Sequence, residues 1–248
     1  MHVLVLGGTT EASALAARLA GCRDLSATLS LAGRTSFPKP APVPTRIGGF
    51  GGVEGLGRWL TEHRVGAVVD ATHPFAAVIS RNAAAACAQR GVPLLALRRP
   101  PWQAQAGDRW IDVPTMPDAV AALGPTPRRV FLTVGRLELP AFAAAPQHAY
   151  MVRTIEPIGD ALPALDVVTI QDRGPFGETD ERRLMQEHGI EVVVTKNAGG
   201  AATFGKIAAA RALGLPVVMV ARPPKPDALT VESVDAGLAW IEAHGRVS

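Results

Sequence analysis

The sequence predicts an α/β protein of two Rossmann-like domains, each built on a mainly parallel sheet covered by helices. Three observations carry that expectation. Short β-branched runs alternate with Ala-rich segments of helical period, the pattern of strands buried on both faces between crossover helices. The chain has 248 residues, 48% of them hydrophobic, enough for two separate cores. The alternation breaks once, at Arg98-Arg99-Pro100-Pro101-Trp102, which reads as a crossover between halves. The expected domains are 1–110 and 111–248.

Taken in order, a strand at Val3 to Leu6 meets the turn Gly7-Gly8-Thr9-Thr10-Glu11. A helix follows to Ala20, with Leu15 and Leu19 on one face. A second strand, Ala27 to Ala32, ends at Gly33-Arg34-Thr35. Four prolines between Ser36 and Thr45 make that stretch an irregular loop. Beyond Gly48-Gly49-Phe50-Gly51-Gly52 a helix runs from Val53 to His63. A strand, Ala67 to Val69, then delivers Asp70-Ala71-Thr72-His73-Pro74-Phe75, where Pro74 suits the first position of a helix reaching Gln89. Val92 to Leu97 closes the first half.

The second half restarts near Val113. Helices are expected at Pro117 to Leu123, Thr179 to His188, Thr203 to Leu213 and Ser233 to His244. Strands are expected at Val130 to Val134, Tyr150 to Ile155, Asp166 to Gln171, Glu191 to Thr195 and Val217 to Val220.

Composition narrows the function classes. Net charge is +3, and the arginines are scattered rather than clustered, so no polybasic tract points to nucleic acid. A mild positive excess suits an anionic small ligand. Cys22 and Cys87 lack metal-ligand spacing and read as buried thiols of a reducing compartment, so no metal site is expected. No apolar run nears the roughly 20 residues of a membrane helix, and a strand opens the sequence where a signal peptide would place a charged segment. The expectation is a cytoplasmic protein with no membrane partner, its oligomeric state open and compatible with a monomer.

Ligands of doubly wound sheets bind beyond the carboxyl ends of the strands, so the strand exits carry the candidate chemistry. Gly7, Gly8, Thr9 and Thr10 stand where the backbone amides of a helix start grip a dinucleotide diphosphate. The turn lacks the full G-x-G-x-x-G pattern, and a plain capped turn explains it as well. Arg34, just past the second strand, stands where an Arg accommodates a 2′-phosphate, and no carboxylate occupies Ala32 to Ser36; this favours NADPH over NADH, against the alternative of a solvated surface Arg.

At the Asp70 to Phe75 junction, His73 is placed to transfer a proton near neutral pH. Asp70 can bond loop amides there and Thr72 can cap the following helix. Lys196-Asn197-Ala198-Gly199-Gly200 forms another anion-binding strand exit. Arg173 and Arg222 at two more exits can pair with carboxylates or simply lie in solvent. Gly200 to Lys206 also spells G-x-x-x-x-G-K, a nucleotide-triphosphate loop, but Ile207 replaces the hydroxyl that holds magnesium. A small-molecule kinase and a non-catalytic dinucleotide sensor therefore stand as alternatives.

Four segments in order resemble the precorrin-6A reductase family of the cobalamin pathway across essentially the whole chain. They are Leu6 to Ala12; Asp70 to Ala76 with Ile79, Ser80, Asn82 and Ala83; Arg173 to Phe176; and Thr195 to Gly200 with Thr203 and Lys206. Ala198 departs from the Ser expected in many relatives.

The resemblance implies two α/β domains with ligands in the cleft between them: a dinucleotide-binding domain, then a substrate domain. It implies reduction of one double bond of an anionic tetrapyrrole by NADPH, hydride going to C19 and a proton to C18. On that basis Gly7, Gly8, Thr9, Thr10, Arg34, Asp70 and Thr72 serve the cofactor. His73 and Lys196 serve catalysis, with Lys196 holding a carboxylate or polarising the conjugated system. Arg173, Asn197, Gly199, Gly200 and Arg222 serve the substrate.

Overall fold

A computed structural model describes residues 1–33, 39–163 and 166–245. The chain divides into two compact units, residues 1–100 with 223–248, and residues 101–222.

The first unit opens with β1 (His2–Leu6), α1 (Thr10–Ala20) and β2 (Ser26–Leu31), then β3 (Thr45–Ile47), α2 (Gly52–Glu62) and β4 (Val65–Asp70). It continues through α3 (Ala77–Arg90) and β5 (Leu94–Leu97). The second unit holds β6 (Arg109–Val113), α4 (Met116–Ala122), β7 (Arg129–Thr133), β8 (Ala149–Thr154) and β9 (Val167–Gln171). After these come α5 (Glu178–Glu187), β10 (Val192–Lys196), α6 (Gly205–Leu213) and β11 (Pro216–Val220). The chain then returns to the first unit as β12 (Leu229–Val231) and α7 (Val234–Gly245).

Each unit contains a six-stranded sheet, ordered β3-β2-β1-β4-β5-β12 in the first and β9-β8-β7-β10-β11-β6 in the second. Every described strand pairing is parallel. The first therefore follows the doubly wound order 3-2-1-4-5-6. In the second, β7 to β11 run 3-2-1-4-5 and β6, which precedes them in the chain, takes the outer place beside β11, so in each the direction of strand addition reverses beside one central strand. In the first sheet the reversal falls between β1 and β4; in the second it falls between β7 and β10.

The alternation of apolar residues along β1 explains why both faces are covered. Val3 and Val5 pack with Leu15 and Leu19 of α1 and with Leu238 and Ile241 of α7. Leu4 and Leu6 point the other way, onto Leu56 and Leu60 of α2 and onto Ala83 and Cys87 of α3. In the second unit Phe131, Met151, Val193 and Val217 pack with Ile207 of α6 and with Trp102. Burial pushes the Cys87 thiol up to about 12, so it stays protonated and behaves as one more apolar side chain.

Four expectations are corrected. The division near residue 110 does not hold for the C-terminus, because β12 pairs with β5 and α7 covers the first sheet. Three edge strands, β3, β6 and β12, fall in stretches to which no strand was assigned, since edge strands need neither length nor a continuous apolar run. Pro74 does not open α3: residues 74 and 75 form a turn and the helix begins at Ala77. A 3-10 helix over Arg136–Ala144 occupies a stretch to which no element was assigned; Pro140 lies inside it.

The return of the chain has a measurable consequence. A chain ending at Arg222 leaves β5 without its outer neighbour and strips Leu238 and Ile241 from the core, worth roughly 3–6 kcal/mol at about 1.5–3 per buried side chain. We expect the first unit of that truncation to unfold at markedly lower urea. Pulse proteolysis should cut within residues 1–100 while β7 to β11 stay protected; equal protection of both units would contradict this.

Candidate functional site at the strand exits

The register of the first sheet sets Leu6 beside Asp70, so the loops leaving β1 and β4 emerge side by side at the switch point. Gly7 donates its amide to Ser30 O at 2.8 Å, and a Cβ there would stand 2.7 Å from Leu29 Cδ1. Its bareness lets β1 exit tightly beside β2. Gly8 has φ +120°, a conformation that disfavours any side chain, and nothing lies within 4 Å of where its Cβ would be. The turn thus presents open backbone at the start of α1.

Thr9 caps α1, its Oγ1 accepting from the Ala12 amide at 3.1 Å and donating to Ala71 O at 2.8 Å. One hydroxyl fastens the helix start to the neighbouring strand exit, which commits the Thr9 side chain to the fold. The Thr10 hydroxyl donates to Glu11 Oε2 at 3.1 Å. Burial alone would raise the Glu11 pKa. Its own backbone amide, the Arg99 guanidinium and the Thr10 hydroxyl outweigh burial and hold it below the ordinary carboxyl value. Arg99 donates Nη1 to both Glu11 oxygens, at 3.0 and 3.3 Å.

At the exit of β4, Asp70 is 2% exposed. Its Oδ1 accepts from the Thr72 amide at 3.1 Å and the Thr72 hydroxyl at 2.6 Å. Contrary to the expectation from sequence, Thr72 does not cap α3; its hydroxyl lies between Asp70 and Ser80 Oγ, 3.3 Å away. Lys225, from the segment returning to this unit, donates Nζ to Thr72 Oγ1 at 2.9 Å and stands 3.9 Å from Asp70 Oδ2. This buried cluster braces the loop that carries His73. Nδ1 of His73 accepts from the Phe75 amide at 3.2 Å, so the neutral ring carries its proton on Nε2, a tautomer assigned from that bond.

In the second unit the exits of β10 and β11 lie together. Lys196 ends β10, and its Nζ is 2.5 Å from Oε1 of Glu138, which the 3-10 helix after β7 supplies across that sheet's switch point. Asn197 turns inward: Oδ1 accepts from the Trp102 amide at 2.8 Å and Nδ2 donates to Trp102 O at 3.1 Å. Its side chain is committed to the crossover segment, which makes it a positioning residue. Gly199 and Gly200 have φ of +67° and +76°, and Gly200 O accepts from Trp102 Nε1 at 2.8 Å.

Arg222 likewise braces this loop, donating Nε to Asn197 O at 2.9 Å and Nη2 to Ala198 O at 3.1 Å. Arg173 lies at the exit of β9, on the far edge of the sheet. Its segment is tied back to this region by the Phe176 amide, which donates to Ala202 O at 3.0 Å. Phe176 is stacked by the guanidinium of Arg153, 3.6 Å from its ring centre. Arg153 is held in turn by buried Glu181, with Nη2 donating to Oε2 at 2.9 Å.

The nucleotide-triphosphate loop is not formed. Lys206 is 4% exposed, donates to Thr203 O at 3.0 Å and lies 5.2 Å from the Trp102 ring centre. Gly205 is instead a packing residue, since a Cβ would meet Phe176 O at 2.4 Å.

The structure therefore gathers Gly7, Gly8, Thr9, Thr10, Asp70, Thr72 and His73 at one switch point, and Lys196, Asn197, Gly199, Gly200 and Arg222 at the exits of the second sheet. Arg34 lies outside the described residues. Sequence reading missed Glu11, Arg99, Lys225 and Glu138 as site residues. For Arg99 and Lys225 the signal was charge beside Pro-rich exits; for Glu138 there was none, because its helix was not foreseen.

Fold and exits together define a doubly wound α/β protein with a glycine turn at its first switch point and a lysine-bearing loop at its second. A family model described as precorrin-6x reductase CbiJ/CobK matches residues 2–242, and the chain belongs to that family. It is 51% identical to a precorrin-6A reductase of Sinorhizobium over 98% of this chain and 93% of the relative. It is also 51% identical to one from Rhodobacter capsulatus, over 98% and 97%. A solved structure titled CobK precorrin-6A reductase superposes with a TM-score of 0.94 at 50% identity, over 99% of this chain and 97% of that one. Among the described residues no helix is long and apolar enough to cross a membrane.

Two outcomes follow from this geometry. Asn197→Ala leaves the Trp102 amide and carbonyl without their partner and should cost about 1–3 kcal/mol in urea unfolding, more than a surface substitution such as Arg183→Ala. Because the Glu11 pKa is depressed on folding, its contribution to stability is present above its ordinary value of 4.5 and is lost as pH falls through the lower folded value. Glu11→Gln should accordingly lower stability at neutral pH and flatten the acid limb of the stability curve, the two proteins converging below the folded Glu11 value.

Proposed function

We propose that this chain catalyses NADPH-dependent reduction of one double bond of precorrin-6A, giving its dihydro product precorrin-6B, in cobalamin biosynthesis, as a cytoplasmic enzyme acting on an anionic tetrapyrrole. The observation that carries the cofactor reading is the β1 exit. Gly8, with open space at its Cβ position, borders the start of α1 at a topological switch point, which fits close approach of a diphosphate to backbone amides. The substrate reading rests on the family and on relatives named for that reaction.

Nicotinamide, when bound, supplies the hydride for C19. The chain supplies placement, charge and a proton. Amides of Gly8 to Thr10 hold the diphosphate, Gly7, whose own amide is taken by Ser30 O, shapes the turn that presents them, and Arg34 recognises the 2′-phosphate. Asp70 and Thr72 act by fixing the loop between β4 and α3, so that His73 presents its Nε2 proton for transfer towards C18. Lys196, Arg173 and Arg222, with the backbone of Gly199 and Gly200, suit the carboxylates of the macrocycle, and Asn197 keeps their loop in shape. A non-catalytic sensor would share the cofactor turn but would turn nothing over.

Anaerobic incubation with precorrin-6A and NADPH, following both absorbances together, tests this. NADPH and precorrin-6A should disappear one for one, with NADH much the poorer donor. His73→Ala should lower turnover about 10²-fold or more with NADPH affinity retained, and Arg34→Ala should weaken NADPH about tenfold, near 1.4 kcal/mol. NADPH binding without any oxidation would reduce the protein to a sensor, and unchanged turnover in His73→Ala would remove that residue from proton transfer.

A further inference from the structure

Lys225 carries a covered charge that the proposed reaction does not use. It stands in Pro223-Pro224-Lys225-Pro226, the segment that leads back into the first unit ahead of β12. Each proline fixes its own φ at about −65°, and the one after Lys225 also holds Lys225 to extended backbone. Arg98, just past β5, pins the segment by donating Nη2 to Pro226 O at 3.1 Å. The lysine is thus presented from a stiff support. Its side chain is 7% exposed, and that of Asp70, 3.9 Å from it, 3%.

Thr72 Oγ1 stands between the two charges. A hydroxyl has one proton, and the 2.6 Å contact with the Asp70 carboxylate takes it. Lys225 therefore donates into Thr72 while Thr72 donates into Asp70, a chain with one direction from ammonium to carboxylate. Taking an ammonium out of water and freezing its long stem is costly unless pairing offsets it. What this chain fixes is the residue directly before His73. The amide and hydroxyl of Thr72 both go to Asp70 Oδ1, and the Phe75 amide sets the imidazole within the same loop. Holding Thr72 holds the ring.

We infer that Lys225 is a positioning residue for the reduction, fixing the exit of β4 so that His73 meets its acceptor carbon. Its effect passes through Thr72 and Asp70. The inference rests on the reading of His73 as proton donor and extends it to a residue 153 positions from Thr72.

The test is a cycle of four full-length proteins: wild type, Lys225→Met, His73→Ala and the double variant. Values of kcat and KM for precorrin-6A are measured at saturating NADPH, alongside NADPH affinity and a thermal melt of each protein. Lys225→Met keeps the apolar stem and removes the ammonium. It should lower kcat about tenfold or more, with NADPH affinity held within about threefold. In the His73→Ala background the same change should cost less than about twofold, because residues that act as a unit are not additive. Lys225→Arg should recover part of kcat by donating to Thr72 again.

Lys225→Met that stays within about twofold of wild-type kcat overturns this inference alone. An equal loss of kcat in both backgrounds does the same, since it marks a scaffold residue, and so does a loss confined to KM or to NADPH affinity. If Lys225→Met does not fold, Thr72→Val takes its place in the cycle, removing the link while leaving both charges, and the same outcomes decide. Wild type without turnover, or His73→Ala with full turnover, overturns the reading on which the inference rests and the inference with it.

Discussion

Two parallel strands cannot be joined by a tight turn, so each connection must cross over a face of the sheet and re-enter from the opposite end. All the described pairings here are parallel, which collects every strand exit of a sheet along one edge. Where strand addition reverses, the crossovers run to opposite sides, and the two central exits are left with room between them. The chemistry proposed for this chain is assigned to that opening in the first sheet, beside β1 and β4, and to the corresponding exits of the second, beside β7 and β10. The candidate site depends on this constraint before it depends on any one side chain.

Much of the polar equipment at those exits serves to hold loops in place. Thr9 ties the start of α1 to the neighbouring exit, Asp70 and Thr72 brace the turn before α3, and Asn197 and Arg222 fix the loop after β10. Loops near a ligand have backbone groups that no ladder pairs, and each must find a partner locally or remain costly. Several side chains that sequence position nominates as contacts are therefore supports, which leaves contact with the proposed ligands to backbone and a few charged groups. His73 shows the distinction: its Nδ1 is fixed by an amide, which leaves Nε2 as the end that carries the proton.

Charge is balanced in the same local way. Glu11 faces Arg99, Asp70 faces Lys225, and Lys196 faces Glu138. Each pair joins two different strand exits, so each holds a relative position as well as a charge. Truncating one member of such a pair leaves the other under-compensated in partly covered surroundings, a larger perturbation than loss of an exposed surface pair. Arg153 and Glu181 repeat the device deeper in the second unit, where the guanidinium also supports Phe176.

The sequence by itself determined the α/β class and most of the long elements, because apolar periodicity in β1, α1 and their counterparts is a local property with both faces to bury. It also located the strand exits and, through Gly7, Gly8, Asp70, His73 and Lys196, the residues that stand on them. What only the tertiary structure decided was how distant segments combine. The return of β12 and α7 to the first sheet depends on which edge is open, and nothing local in Leu229 to Val231 announces that. The partnerships of Arg99, Lys225 and Glu138 likewise join residues 58 to 153 positions from their partners, and such contacts follow from strand order, which a one-dimensional pattern does not encode.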